Sequence, residues 1–308
     1  EDLDLWLSDL VRQGINTIQS RSQSFWEAPA ARLVDAQAPG MARRVREMAG
    51  IPGSGEGWQE RLLVQASKLF LLIRGYQQLT NLPQPTQADI RTQIGWTQDQ
   101  EELLQQNGVL DSWLVTGKRV EEETSGPLGK SSFIKIQRTW LLGRETGRSA
   151  LLLSFAAPGQ MLNPGYIPGT SLRAELVFFP GGFPLRSLVK NQLSSPETAA
   201  VGHGFATLLD ALHAWSGALA ANPWLDCYPM LLNDVTPHQA GETWGVMDRE
   251  KRFLPFTPGS NAEILSALSG GYPLDIFGEW NGDSLLPLSA WAKGRFIPLP
   301  SALMEGQA

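Results

Sequence analysis

Asn107-Gly108 and the residues that follow, Trp113-Leu114-Val115-Thr116-Gly117-Lys118-Arg119-Val120, decide the fold class. Before Asn107 the apolar residues recur at steps of three and four, the period of a helix. After Gly108 they alternate, the period of a strand. Asn-Gly is itself a turn signal, because both residues tolerate positive φ. The change predicts an α+β protein with a helical bundle over residues 1–107. A larger, antiparallel-β-rich α+β part over 108–308 follows, with hairpins and one long helix, its subdivision near 193 left open.

Upstream of the switch, Leu3, Trp6, Leu7, Leu10 and Val11 share one face of a first helix that stops near Gly14. Ser24 and Glu27 have capping-box spacing, since each side chain can satisfy an orphan backbone N–H of the other. They open a helix carrying Phe25, Trp26, Leu33 and Val34, which Pro39-Gly40 breaks. A short basic helix with Arg43, Arg44 and Arg46 comes next, then a Pro/Gly loop from Ile51 to Gly57. The longest helix presents Leu62, Leu63, Leu69, Phe70, Ile73 and Tyr76 as its apolar face. Pro83 and Pro85 end it, and a helix from about Thr86 to Gln106 completes the bundle.

Downstream, Trp113–Glu123, Phe133–Leu142, Ala150–Phe155 and Leu172–Phe179 read as strands, the second and third joined through a hairpin at Gly143–Gly147. A helix is expected from about Pro196 to Ala221, with Phe205, Leu208, Leu209, Leu212 and Leu219 on its buried side. Strands resume at Trp244–Met247 and Arg252–Phe256. Ser260 and Glu263 form a second capping box, and Phe277–Leu288 is a hairpin turning at Asn281-Gly282. Trp140 and Arg148 bracket one hairpin turn, and Trp244 and Arg252 bracket another at the same spacing. Hairpins resemble each other without common origin, so the echo alone does not establish a duplication.

The 308 residues carry 25 Lys plus Arg against 31 Asp plus Glu, a net charge of −6 with the two signs mixed throughout. That distribution lacks the dense basic stripe phosphate neutralisation needs. Cys227 is the single cysteine and has no internal partner for a disulfide, which favours a reducing compartment. The richest apolar run, Leu69–Ile73, lies between Lys68 and Arg74, far short of a membrane span. The chain begins at Glu1 without a basic-then-apolar leader and reads as a processed or cut end.

No catalytic, cofactor-binding or metal-ligating constellation emerges. Gly126-Pro127-Leu128-Gly129-Lys130-Ser131 lacks the earlier glycine of a phosphate-binding loop, where Thr124 stands, and a strand follows it instead of a helix. His203 and His213 are too far apart in helical phase to share a metal, and no ligand sits three or four residues from either. Gly-x-Ser-x-Gly is absent. The run Glu121–Glu123 reads as a solvated face. Among eleven tryptophans, Trp280 beside the Asn281-Gly282 turn and Trp96 are candidates for exposed aromatics on a recognition surface. Arg43 and Arg44 are candidates for contact with an acidic partner, although Asp35 and Glu47 lie near enough in sequence to pair with the basic helix.

Several phrases, in order, resemble the region downstream of the zinc finger in bacterial SWIM-type zinc finger family proteins. They are Leu5-Trp6-Leu7-Ser8-Asp9-Leu10-Val11-Arg12-Gln13-Gly14, Val34-Asp35-Ala36-Gln37-Ala38-Pro39-Gly40, Gly95-Trp96-Thr97-Gln98, Gln137-Arg138-Thr139-Trp140-Leu141, Pro168-Gly169-Thr170 and Glu175-Leu176-Val177-Phe178-Phe179-Pro180-Gly181. The family's Cys-x-Cys and Cys-x-His ligands have no counterpart here, since Tyr228 and Pro229 follow Cys227. The resemblance implies a bacterial cytoplasmic protein with no zinc in this chain, zinc being expected only in an upstream finger if the parent protein has one; a finger-less relative would read the same. Asp35, Gln37, Arg43, Arg44, Trp96, Arg138 and Trp280 are the binding candidates, and the expected role is a non-enzymatic protein-interaction or scaffolding module. Two alternatives stand beside it: a nucleic-acid-associated protein whose upstream finger makes the contacts, and an enzyme whose site combines His203 or His213 with Asp210 or Asp226.

Overall fold

The structure, a computed structural model, describes residues 1–96, 98–125, 132–198 and 202–300. The chain divides into two compact units. One comprises Glu1–Asp99, Pro180–Phe183 and Ala218–Trp224, and the other Gln100–Phe179, Pro184–Gly217 and Leu225–Ala308. Among the described residues no helix is long and apolar enough to cross a membrane.

The first unit is helical: α1 (Asp2–Arg12), α2 (Gln23–Asp35), α3 (Pro39–Ala49), α4 (Trp58–Gln77) and α5 (Gln84–Ile94). Leu10, Trp26, Val45, Met48, Leu62, Leu69, Leu72 and Ile90 form its core, and Trp224 from the later segment joins it. Trp6, Phe25 and Trp26 pack as a trio with centroids 5.3 to 5.8 Å apart. The chain breaks between α2 and α3 as expected, and Pro39 itself begins α3, at the first-turn position where its missing N–H costs nothing. Gly40 and Gly95 let the start of α3 meet the end of α5. A Cβ on Gly40 would lie 2.3 Å from the Gln93 carbonyl oxygen, and one on Gly95 would lie 2.6 Å from the Gly40 nitrogen. The expected helix to Gln106 stops at Gly95, where φ is +99°, and a separate α6 (Gln100–Leu104) groups with the strands.

The second unit holds two barrels. β1 (Val109–Ser125) is long enough to serve two neighbours: its first half pairs with β4 (Thr170–Phe178) and its second half with β2 (Ser132–Gly143). β2 pairs with β3 (Ser149–Ala156), β4 pairs with β5 (Ser187–Gln192), and a parallel bridge from Leu151 to Arg186 brings β3 to the start of β5. The short β6 (Glu197–Thr198) adds to β4. Around the barrel the order is 1-2-3-5-4-1, all antiparallel except 3 to 5. This is the connectivity of the partly open five-stranded Greek-key barrel known as the OB-fold. Trp113, Val115, Leu141, Ala150, Leu172, Ala174 and Leu176 fill the interior.

The same wiring recurs after α7 (Leu208–Ala221). β7 (Tyr228–Ala240) pairs with β10 (Leu274–Trp280) through its first half and with β8 (Thr243–Met247) through its second. β8 pairs with β9 (Phe253–Pro255), β10 with β11 (Leu285–Ala292), and a parallel bridge from Phe256 to Leu285 repeats the 3-to-5 contact. α8 (Ala262–Ser269) connects the third strand to the fourth, and β12 (Arg295–Pro298) extends β11. Trp140 and Trp244 occupy second strands, and Arg148 and Arg252 precede third strands. The sequence echo thus marks topologically equivalent hairpins.

Three local expectations fail for identifiable reasons. The helix expected from Pro196 begins only at Leu208. Phe205 first makes a parallel bridge to Leu232, and Gly204 lies so close to the Leu231 carbonyl that a Cβ would stand 2.3 Å away. Thr207 and Asp210 supply the cap, with the Asp210 N–H donating to Thr207 Oγ1 at 3.1 Å. Neither proposed capping box forms. Glu27 instead takes a bidentate ion pair with Arg46 at 2.6 and 2.9 Å, stronger than a backbone cap. At α8 the N-cap is Asn261, whose amide donates to the Pro300 carbonyl.

Candidate functional site

Helices α1 and α4 frame a groove of about 430 Å³ lined by Leu7, Ser8, Val11, Leu63, Ala66 and Phe70, with Arg12 as its one charged lining residue. The apolar face expected for α4 is split. Leu62, Leu69 and Ile73 are buried, whereas Leu63 and Phe70 remain 46% and 44% exposed, as does Val11 of α1 at 49%. The two sets differ by about one residue in phase, so a helix apolar on both counts covers the core and still presents a row outward. Small side chains at Ser8, Ala66 and Ser67 keep the floor low. Arg74 lies 4.8 Å over the Phe70 ring and 3.3 Å from Asp4, which fixes one wall. A second opening, of about 690 Å³, lies against α1 and α2, with Trp6, Phe25 and Leu33 inside and the Asp2–Arg32 pair at its rim.

The candidate binding residues meet different fates. Gln37 and Trp96 come together, the indole N–H donating to the Gln37 carbonyl at 3.2 Å while Tyr76 packs edge-on against Trp96. Trp96 is exposed, and so are Asp35 and Arg43, which flank Gln37 in sequence. Arg43 reaches Glu47 at 3.7 Å. Arg44 is not a surface contact: at 6% exposure it is buried, its Nε 2.9 Å from Gln93 Oε1, because it lies on the face of α3 that meets α5. Trp280 is likewise no surface aromatic. It is 4% exposed, since β10 is flanked on both sides by strands and Trp215 of α7 packs edge-on against the indole at 6.0 Å.

Arg138 belongs to a buried ionic centre that joins the two barrels. Glu279 of β10 receives Arg138 Nε at 3.1 Å and the Trp140 indole N–H at 2.6 Å. Arg119 Nε stands 2.8 Å from the other carboxylate oxygen, in ion-pair range but without the alignment of a hydrogen bond. Glu121 pairs with both arginines, so this part of the acidic run is structural and not simply a solvated face. Arg138 also lies 2.7 Å from Cys227 Sγ. Burial, then the Glu279 charge, pushes the Cys227 thiol up to about 12, which leaves it protonated and inert near neutral pH. Burial opposes the Arg138 charge, and the Glu279 and Glu121 carboxylates beside it favour that charge.

Asp89 of α5 is the buried carboxyl of the helical unit. It accepts the Gly182 N–H at 2.8 Å and the Asn222 side-chain amide at 3.1 Å, so it clamps both later segments of that unit. Burial raises it to about 6, against the lowering effect of the Gly182 N–H. Either glycine of Gly181-Gly182 with a Cβ would collide with this clamp, the nearer approach being 2.1 Å to the Ala221 carbonyl. Nothing in the sequence pattern singles out Asp89, because its partners lie 93 and 133 residues away.

His203 and His213 are exposed and line none of the cavities above, and among the described residues no group of three potential ligands could hold a metal ion. The Gly126–Ser131 segment lies outside the described residues.

Residues 1–94, which span α1 to α5, match the SWIM-associated four-helix bundle domain. The match covers less than a third of the chain and agrees with the region downstream of the finger in a SWIM-type zinc finger family protein. No curated protein and no solved structure matches the chain. The matched span contains the α1/α4 groove, the α1/α2 opening and Asp89.

Proposed function

We propose that this protein is a non-enzymatic protein-interaction module of the bacterial cytoplasm. Its working surface is the α1/α4 groove, and its partner presents an amphipathic helix. The observation that carries this reading is the outward apolar row of Val11, Leu63 and Phe70 over a floor of small residues. Contiguous exposed apolar surface of this kind marks interaction sites. A groove between two helices accepts a third by the packing of ridges into grooves. Arg12, the one charged lining residue, calls for a carboxylate on the occupant. Zinc is expected at no residue of this chain, and only in an upstream finger if the parent protein has one.

The test is display selection on the full chain with a library of helical peptides, followed by anisotropy titration of the enriched peptide. Enrichment of apolar residues at i, i+3 or i+4, and i+7 with an acidic neighbour is expected. Binding should weaken at least tenfold in Phe70→Glu and recover partly when Arg12→Glu meets a peptide whose acidic residue is replaced by Lys. Selection without a helical pattern, or equal binding by Phe70→Glu, refutes the reading.

A second reading rests on the second barrel. OB-type barrels bind single strands by stacking bases on aromatic side chains near the second and third strands. Here the half-buried Phe253 ring lies over Gly245, with exposed His238 edge-on at 6.3 Å. Anisotropy of a labelled single-stranded 20-mer at low and high salt tests it. Salt-sensitive binding lost in Phe253→Ala would favour nucleic acid over the helical peptide.

A further inference from the structure

The first barrel has its outer β1–β2 face occupied by the second. A Cβ on Gly117 would stand 3.0 Å from Leu288 and Phe277, Ser289 Oγ donates to the Thr116 carbonyl, and Glu279 takes both arginines. The open space of this barrel lies instead at one end of its interior. There α6 and the loop carrying Asn163 and Tyr166 border a pocket of about 290 Å³. Strand alternation explains its lining. Leu141 and Ala150 point into the apolar core, so Gln137 and Thr139 on β2, Ser154 on β3 and Ser187 on β5 share that inward face nearer the end.

The polar groups at this end are unusual in two respects. Ser187 is 1% exposed, lines the pocket, and its Oγ has no hydrogen-bond partner among the described residues. A buried hydroxyl without a partner forfeits its hydration, so natural interiors rarely keep one. The bordering loop is also held in a specific shape. Gln137 donates to the Asn163 carbonyl at 3.0 Å, Lys118 donates to the Gly165 carbonyl at 2.7 Å, and Tyr166 sits at φ +58°, a conformation L-residues seldom adopt. Among the described residues, seven that bear a hydroxyl or amide and none that is charged line the cavity.

We propose that the end of the first barrel is a binding site for an uncharged small molecule with both hydrogen-bond donors and acceptors, of nucleoside or monosaccharide size, with Ser187 Oγ as a contact. The lining supplies donors and acceptors but nothing to neutralise a charge, and burying an unpaired charge there is prohibitive. Nucleosides and neutral sugars share this chemistry, as well as a size that suits the cavity. The site is independent of the α1/α4 groove, so neither reading depends on the other.

The experiment is calorimetric titration of the full chain with adenosine, uridine, glucose and N-acetylglucosamine, alongside adenosine monophosphate and glucose 6-phosphate. Saturable binding at one site per chain is expected for one neutral class, which identifies the source, with the phosphorylated form at least tenfold weaker. Ser187→Ala should weaken that binding about tenfold while leaving the melting temperature of the free protein unchanged or higher, because the hydroxyl lost has no hydrogen-bond partner among the described residues. Ser154→Met, which fills the pocket from its edge, should abolish binding. Absence of saturable binding by all four neutral probes overturns the proposal. So does equal affinity for the phosphorylated forms, or binding that both variants retain.

Discussion

Raising the pH from about 4 to about 7 should weaken the helical unit through Asp89, and Asp89→Asn should remove that component. In the unfolded chain this carboxyl ionises near 3.8, and in the folded chain at about 6, because burial penalises its charge and the Gly182 N–H only partly offsets the penalty. The folded state therefore binds the proton more tightly. Its stabilising effect is full below the unfolded value, is lost as pH rises through the folded value, and is level above it. The gap corresponds to at most about 3 kcal/mol, and solvent screening reduces this to about 1–2 kcal/mol. Urea unfolding followed by far-ultraviolet circular dichroism at several pH values measures it for the wild type and Asp89→Asn. Glu27, Asp111 and Asp248 are shifted downward and give the opposite slope at low pH, but they are common to both proteins and cancel in the difference. Asn keeps an acceptor for Gly182, although its amide nitrogen then opposes that of Asn222, so the informative quantity is the slope and not the absolute stability. Equal slopes for the two proteins would refute the assignment of Asp89 as the group responsible.

Two further perturbations probe the architecture. Glu279→Gln keeps an acceptor for Trp140 but leaves Arg119 and Arg138 only Glu121 as a shared carboxylate at the junction of the barrels, and it should cost about 3 kcal/mol in urea unfolding; a loss below about 1 kcal/mol would mean that Glu121 suffices for both arginines. Gly40→Ala places a methyl against the backbone of Gln93 and Gly95, which has little room to yield, and should destabilise by at least about 2 kcal/mol by the same assay. Near-neutral behaviour would show that the α3–α5 approach is loose.

Much of the first unit is readable along the chain because its helices are local: Leu7, Leu10, Leu62, Leu69 and Ile73 keep a helical period that any seven-residue window shows. The switch to alternation after Gly108 likewise announces the strands, and Asn281-Gly282 marks its hairpin. The failures come where local signals compete with distant partners. Ser24 and Glu27 have capping spacing, yet Arg46 on the next helix offers Glu27 a charged pair. Trp280 sits beside a turn, yet α7 brings Trp215 onto it.

Alternation and periodicity, set by backbone geometry, make the α+β class and most strand positions properties of the sequence itself. The closure of each barrel is not such a property, because it depends on parallel contacts between strands 35 and 29 residues apart, Leu151 with Arg186 and Phe256 with Leu285. Only the folded chain makes Trp140 and Trp244 equivalent, buries Glu279 between two arginines, leaves Ser187 Oγ without a hydrogen-bond partner among the described residues and turns Phe70 outward while Leu69 turns in. Each of these depends on which surfaces remain for a side chain once every strand and helix has taken its neighbour, and that is decided by packing across the whole molecule.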